Sequence, residues 1–366
     1  MNPRQTTKMK SLTLGAAIMV VAAACGSGAT NTTAPASAAA PASASASAGA
    51  SASAGASIPT PAPPPASLPA KLVIGIAEES MGRSFTVALS QGAHEEAAKL
   101  GVDLRETDSK DDPLVQASNV QDLLAQGIQG LILSPVSGGA SVAWVDQANN
   151  AGVPVVAVSN QVGAAQDRGP KDVYPGLVAL VTQDELATSG GIGTFVAKTF
   201  GGPGKVVNIA VLEGANGVPA TDLRNQGFKA ALDASGISYK ILSSQPGDWV
   251  QATGESACQN MLTANPNLTV IFSMSDEMSV GCDRAIKASQ RSVPMVSMGG
   301  NGAGVALVTN GTILATDCYQ PKVLGVMGVD AMVKYLRGQQ TYNHDFLTYD
   351  TPVITKANTA TCPPTW

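Results

Sequence analysis

Leu72-Val-Ile-Gly-Ile-Ala77 is a run of six residues without a polar side chain, set between Lys71 and Glu78. A strand with one wet face alternates apolar and polar residues, whereas a short unbroken apolar run is buried on both faces, as in a parallel sheet covered by helices. Runs of the same kind recur at Leu131-Ile-Leu133, Val153-Pro-Val-Val-Ala-Val158, Val206-Val-Asn-Ile-Ala-Val211, Thr269-Val-Ile-Phe272 and Pro294-Met-Val-Ser297. Helical patterns lie between them. Asp112-Pro113 supplies an N-cap and a proline at the first helical position, and the stripe Leu114, Ala117, Val120, Leu124 precedes a terminating Gly127. The fold class is therefore α/β. Roughly ten βα units exceed what a single open sheet usually carries, so two α/β domains are expected.

Ligands of open parallel sheets bind beyond the carboxyl ends of the strands. Two such domains facing each other would place the site in a cleft, lined from segments 78–85, 134–137, 159–161, 213–218, 273–276, 298–301 and 317–320.

Before Lys71 the only charged residues are Arg4, Lys8 and Lys10. The remainder holds 19 Lys and Arg against 27 Asp and Glu, a net charge of about −8, which argues against a broad basic surface for nucleic acid. With only His94 and His344, a His-rich metal site or a Ser-His-Asp triad is not expected, and no Cys-x-x-Cys spacing offers a zinc site. Residues 1–24 read as a secretory signal, with a basic start and the apolar run Leu12-Thr-Leu-Gly-Ala-Ala-Ile-Met-Val-Val21, too short to span a bilayer. Ala22-Ala-Ala-Cys-Gly26 resembles a bacterial lipobox, which implies a lipid anchor on Cys25. Residues 26–70 consist almost wholly of Ala, Ser, Gly, Thr and Pro, and such a composition reads as a disordered tether.

From Lys71 to about Ala357 the order of motifs is similar to type I periplasmic binding proteins of the ribose- and galactose-binding cluster. The resemblance is carried by Phe85 with Gln91-Gly-Ala-His-Glu-Glu-Ala-Ala-Lys-Leu-Gly101, Asn119-Val-Gln-Asp-Leu-Leu-Ala-Gln-Gly127, Ala151-Gly-Val-Pro-Val-Val156, Arg224-Asn-Gln-Gly-Phe228, Ser275-Asp-Glu-Met278 and Gly311-Thr-Ile-Leu-Ala-Thr-Asp317. It implies two Rossmann-like lobes, 71–182 with 320–348 and 183–319 with 349–366. Three strands would join them, crossing near Thr182, Tyr319 and Tyr349. It also implies hinge closure on a small solute. No strand end carries a nucleophile with a nearby base and the only histidines lie elsewhere, so neither an enzyme nor a cofactor is expected. The expected partner is a membrane permease driven by a separate ATPase, with the binding protein acting as a monomer. The alternative is a receptor of the same fold docking on a sensor kinase or chemoreceptor.

Carried over residue by residue, the resemblance places Phe85 and Trp249 as opposed rings against a cyclic polyol, Arg224 as a planar fork for adjacent oxygens, and Asp276 as the acidic residue at the cleft mouth. Glu79 and Arg83, at the end of the first strand, join this set. Asp276 could equally cap helix 277–289. Where ribose binders carry an Asp-Arg pair, an Asn, an Asp and a Gln, this chain has Ser159-Asn160, Ser275, Gly299 and Tyr319. Carboxylates grip paired hydroxyls through charge-assisted bonds. Their loss implies a neutral solute less hydroxylated than ribose or shaped differently, with Glu79 or Asn301 compensating.

Cys258, Cys282, Cys318 and Cys362 remain after Cys25, an even number in an oxidising compartment. Of the three pairings, Cys258–Cys282 is favoured because both lie on helices flanking one strand, which leaves Cys318–Cys362 to pin the tail near a hinge crossing. His94 beside Glu95 and Glu96 reads as a solvated helix face. Gly299-Gly-Asn-Gly-Ala-Gly304 lacks the lysine spacing of a phosphate loop and reads as a cleft loop.

Overall fold

A computed structural model describes residues 59–366 apart from 165, 166 and 168. The expected signal segment, the anchor Cys25 and the linker up to residue 58 lie outside these residues.

One lobe is built on strands β1 (Val73–Glu78), β2 (Asp103–Asp108), β3 (Gly130–Leu133), β4 (Val155–Val158), β5 (Ala179–Val181) and β11 (Asp345–Leu347), in the order β11-β5-β4-β3-β1-β2. Every neighbouring pair is parallel, with Ile74 opposite Leu104 on one side and Gly130 on the other. The unbroken apolar run of β1 serves two cores. Ile74 and Ile76 pack with Leu89 and Ala93 of α1 (Ser84–Leu100) and Leu324 and Met332 of α9 (Pro321–Leu336). Ala77 faces the opposite layer, with Val120 and Leu123 of α2 (Pro113–Ala125) and Trp144 and Val145 of α3 (Gly138–Asn150). Helices α1 and α9 meet through glycines: a Cβ on Gly92 would sit 2.0 Å from the carbonyl oxygen of Lys322, and one on Gly325 2.0 Å from that of Leu89.

The second lobe holds β6 (Val206–Glu213), β7 (Ser238–Pro246), β8 (Val270–Ser273), β9 (Met295–Val296), β10 (Ile313–Asp317) and β12 (Val353–Thr355), in the order β12-β10-β9-β8-β6-β7. Only β12 runs antiparallel, against β10. Helices α4 (Glu185–Phe200) and α5 (Pro219–Ala234) pack together, as do α6 (Gln251–Ala264) and α7 (Asp276–Ala288), and α8 (Gly302–Asn310) closes the layer beside β10. Phe228 stacks on Phe272 at 4.1 Å in this core. Cys258 on α6 is paired with Cys282 on α7, and Cys318 with Cys362.

The chain passes between the sheets three times, after β5, after β10 and after β11. Hydrogen bonds tie these crossings to one another. The Thr182 N–H donates to the Leu347 carbonyl at 2.9 Å, and the Gln320 N–H donates to the Tyr349 hydroxyl oxygen at 2.9 Å.

Two expectations are corrected. The tether does not run free to residue 70: the Ala62 N–H donates to Asn149 Oδ1 at 2.8 Å, and the Tyr335 hydroxyl donates to the Ala62 carbonyl at 2.8 Å, so Ala62 is buried against the first lobe. The inward stripe of α2 is also rotated. Asp112 does cap the helix, accepting from Leu114 N–H at 2.8 Å, but Leu114 itself is 79% exposed. Gln116 takes the inward place, because its amide donates to the Ser134 carbonyl and accepts from the Val136 N–H, both at 2.8 Å. A buried amide with both ends bonded carries no unsatisfied polar atom into the interior.

Candidate functional site

The strand ends of the two lobes face each other around a cavity of about 400 Å³. From the first lobe, Glu79 and Arg83 follow β1, Phe85 opens α1, and Ser159 and Asn160 follow β4. From the second come Arg224 on α5, Trp249 before α6, Ser275 at the cap of α7, Gly299 after β9 and Tyr319 after β10. These ten residues, separated by up to 240 positions in the chain, line one cavity.

Asp276 does not reach the wall. It is buried beneath the floor, where its carboxylate accepts from Thr316 Oγ1 at 2.9 Å and from the Gly300 N–H at 2.6 Å. Burial pushes its carboxyl up to about 6, against the opposing pull of the Ser297, Gly300 and Thr316 donors. Nor does it cap α7: Ser275 does, accepting from the Glu277 N–H at 3.1 Å. Asn301 is likewise withdrawn, capping α8 through the Gly304 N–H at 2.7 Å.

Arg224 is more heavily engaged than a free fork. Its Nε and Nη2 donate to the two carboxylate oxygens of Glu185 at 2.7 and 2.8 Å, and Nη1 donates to the Met274 carbonyl. Each terminal nitrogen keeps one further N–H beyond these bonds, and Arg224 lines the cavity. The guanidinium lies between two rings, with its carbon 5.0 Å from the centroids of both Trp249 and Tyr319. Burial works against its charge, but Glu185, Tyr319 and Asp317 together outweigh that cost, and the net shift holds the proton more tightly. The Tyr319 hydroxyl donates to Glu185 Oε2, and Gln183 Nε2 donates to Oε1 at 2.7 Å. Burial also raises the Tyr319 phenol well above its ordinary value.

On the facing wall, Glu79 accepts from Asn160 Nδ2 at 3.3 Å and pairs with Arg83 at 3.4 Å, while Arg83 pairs with Asp111 at 2.6 Å. Burial raises the Glu79 carboxyl despite the Arg83 charge. The polar groups of both walls are thus held in place before any solute arrives.

The aromatic arrangement differs from the expected sandwich of Phe85 and Trp249. Trp249, in a left-handed turn at φ +63, lies against Arg224 and fills the space over Gly214, where a Cβ would come within 1.9 Å of the indole. Phe85 instead meets Trp366, edge to face, with centroids 5.5 Å apart. Several wall residues escape the sequence reading, among them Gln183, Glu185, Glu277 and Trp366. Gln183 and Glu185 follow β5, at the end of the apolar run Leu177-Val-Ala-Leu-Val181, and Glu277 lies in the first turn of α7. Trp366 lies four residues beyond Cys362, in a segment with no strand end to mark it.

The remaining candidates lie apart from the cleft. His94 sits on α1 with Nε2 3.3 Å from Glu106 Oε2. Among the described residues no group of His, Cys, Asp and Glu is placed to hold a metal ion.

The model of the periplasmic binding protein domain family matches residues 74–340. The ribose import binding protein RbsB of Haemophilus influenzae is 32% identical over 275 residues, covering 75% of this chain and 89% of that protein. Among solved structures, an ABC transporter solute-binding protein from Mycobacterium smegmatis with bound glycerol superposes with a TM-score of 0.71 at 25% identity, covering 80% of this chain and 96% of that one. The arabinose ABC transporter's binding protein from Shewanella, bound to L-arabinofuranose, gives 0.71 at 25% identity, covering 79% and 93%. These relatives are binding proteins and not enzymes. With two parallel sheets, three crossings and a cleft at the strand ends, this chain belongs to the periplasmic binding protein family, as a type I member of the ribose- and galactose-binding cluster.

Proposed function

We propose that the protein captures a small neutral sugar or polyol outside the cytoplasm by closing its two lobes over it, and delivers it to an ABC import permease. The observation that carries this reading is the composition of the cleft wall. Apolar ring faces from Phe85, Trp249 and Tyr319 stand beside prefixed polar groups from both lobes, Glu79 and Asn160 on one side and Arg224 and Ser275 on the other. Rings match the apolar face of a cyclic solute, and fixed donors and acceptors match its hydroxyls. Because the groups come from two lobes, the full set is assembled only on closure, so binding and hinge motion are linked. Arg224 is balanced by Glu185 and Arg83 by Glu79 and Asp111, so neither arginine needs an anionic solute as its counter-charge.

The relatives named for ribose import and arabinose transport support import over sensing. The lipobox-like Ala22-Ala-Ala-Cys-Gly26 supports anchoring through Cys25, with the Ala/Ser/Gly/Pro segment giving reach to a permease and the protein working as a monomer. The test is a thermal-shift and calorimetric screen of the full chain in detergent with D-ribose, L-arabinose, glycerol and amino acids. A shift of several degrees with one-to-one binding of a sugar or polyol is expected, since a ligand of the folded state alone adds RT ln(1 + [L]/Kd) to stability. A shift by charged amino acids alone would overturn the reading. Mass spectrometry of the exported protein should find Cys25 acylated at the new amino terminus.

A further inference from the structure

One cleft wall has no place in the strand-end rule. Trp366 lines the cavity from a segment that is neither strand nor helix. Its ring meets Phe85 edge to face at 5.5 Å and 86°, an aromatic contact between the second lobe's segment and the first lobe's helix α1.

The segment 362–366 is held to the second lobe at three points. Cys362 is paired with Cys318, with Cα atoms 5.7 Å apart, and the two lie with Ile354 in a small buried cluster. The Gly302 N–H donates to the Trp366 carbonyl at 2.9 Å, and Trp366 Nε1 donates to the Tyr319 carbonyl at 3.1 Å. Cys318 and Tyr319 are adjacent and belong to the crossing between β10 and α9, so the covalent tie and the indole bond converge on one hinge strand. Pro363 and Pro364 stiffen the three-residue span between tie and ring, since each fixes its own φ. With its only polar atom engaged by the backbone, the indole has nothing but apolar surface to offer the cavity.

We propose that Trp366 is a ligand-contacting wall that sets the size and shape of the solute, and that the Cys318–Cys362 pair is the tether that positions it. This rests on the sugar or polyol reading above. Phe85 and Trp366 line the cavity from opposite lobes and meet there, so a solute against this pair must present an apolar edge. That requirement fits a chain in which the carboxylates of the ribose pattern are replaced by Ser159 and Gly299. Discrimination at this pair comes from ring packing in place of hydroxyl pairing.

The test is calorimetry of the full chain in detergent with D-ribose and with L-arabinose, comparing wild type, W366A, W366F, C318S/C362S and C318S/C362S/W366A. Losing one ring from the wall is expected to weaken binding about tenfold or more. W366F should recover most of it, and C318S/C362S should weaken binding in the same direction. The combined variant should bind no more weakly than W366A alone, because the tether acts through the ring. P363G/P364G, which slackens the segment and keeps the disulfide, should behave like C318S/C362S and serves where the latter does not fold. C258S/C282S should lower thermal stability and leave both affinities unchanged. A wild type that binds neither of these sugars nor glycerol, the polyol of the screen above, overturns the reading and this inference with it. A wild type that binds one, with W366A unchanged, overturns the inference alone. Losses in C318S/C362S that add to those of W366A overturn the tether.

Discussion

Glu185 and Arg224 face each other as a buried two-bond pair, Oε2 to Nε at 2.7 Å and Oε1 to Nη2 at 2.8 Å, with side chains only 3% and 8% exposed. The pair joins the first turn of α4 to α5 and stands at the start of a crossing, so it links the inside of the second lobe to the hinge. Removing one member leaves the other charged and unpaired in a dry place. E185A and R224A are each expected to destabilise by about 3–5 kcal/mol in urea unfolding. An E185L/R224M double variant should cost much less than their sum, because neither charge then stays behind. Additive losses would show that the pair is not coupled.

The rings of the cleft separate into two kinds by what lies behind them. Phe85 touches Trp366 and the cores of both lobes, while Trp249 is fitted over Gly214 and against Arg224. F85A is therefore expected to weaken sugar binding about tenfold or more with a small change in melting temperature. G214A should act at a distance. Its methyl would enter the indole of Trp249, so overpacking of about 1–3 kcal/mol and a displaced ring are expected together. Intrinsic tryptophan fluorescence and calorimetry with D-ribose or L-arabinose read both effects. A G214A protein with wild-type affinity and emission would mean that the ring has room to move.

How much of this was legible beforehand follows from what each element faces. Strands β1, β3, β4, β6, β8 and β9 are buried on both sides and stand out as apolar runs. Edge strand β2, Asp-Leu-Arg-Glu-Thr-Asp, and edge strand β7, whose residues alternate outward and inward, carry no such run and gave no signal. The wall residues at strand ends were found because the two-lobe fold places strand ends at the cleft. What stayed hidden is pairing. Nothing in Arg224 alone shows that Glu185, 39 positions earlier, occupies its fork, and nothing in Asp276 shows that Thr316 and Gly300 hold it below the floor. Trp366 follows from a disulfide whose consequence for the cleft depends on the path of four residues.

Cys258 and Cys282 tie α6 to α7 across a separation of 24 residues, with Cα atoms 5.2 Å apart. If the bond forms on export, constraining a loop of that length stabilises the fold by about 3 kcal/mol on the chain-entropy estimate. C258S/C282S should lower the urea midpoint accordingly, and intact-mass measurement after alkylation without reductant should show all four thiols of the folded portion protected. Labelling of Cys258 or Cys282 in the native protein would contradict the pairing.

Glu78 gives the stability a pH dependence of definite sign. It ends β1 with both carboxylate oxygens buried and no hydrogen-bond partner, facing Glu106, Glu79 and Asp108. Burial, and then the Glu106 charge, hold its carboxyl well above 4.5. A carboxyl raised in the folded state binds its proton more tightly there than in the unfolded chain. Its contribution is therefore fully present below the unfolded value and is lost as pH rises through the folded one. Asp276, raised to about 6, acts in the same direction. E78Q keeps the shape and cannot ionise, so its stability relative to wild type should grow as pH is raised from 4.5 to 8. The growth should reach about 1.4 kcal/mol per pH unit between the two values. Urea unfolding of both proteins across that range measures it, and a difference that stays constant with pH would show that Glu78 reaches water or a partner in solution.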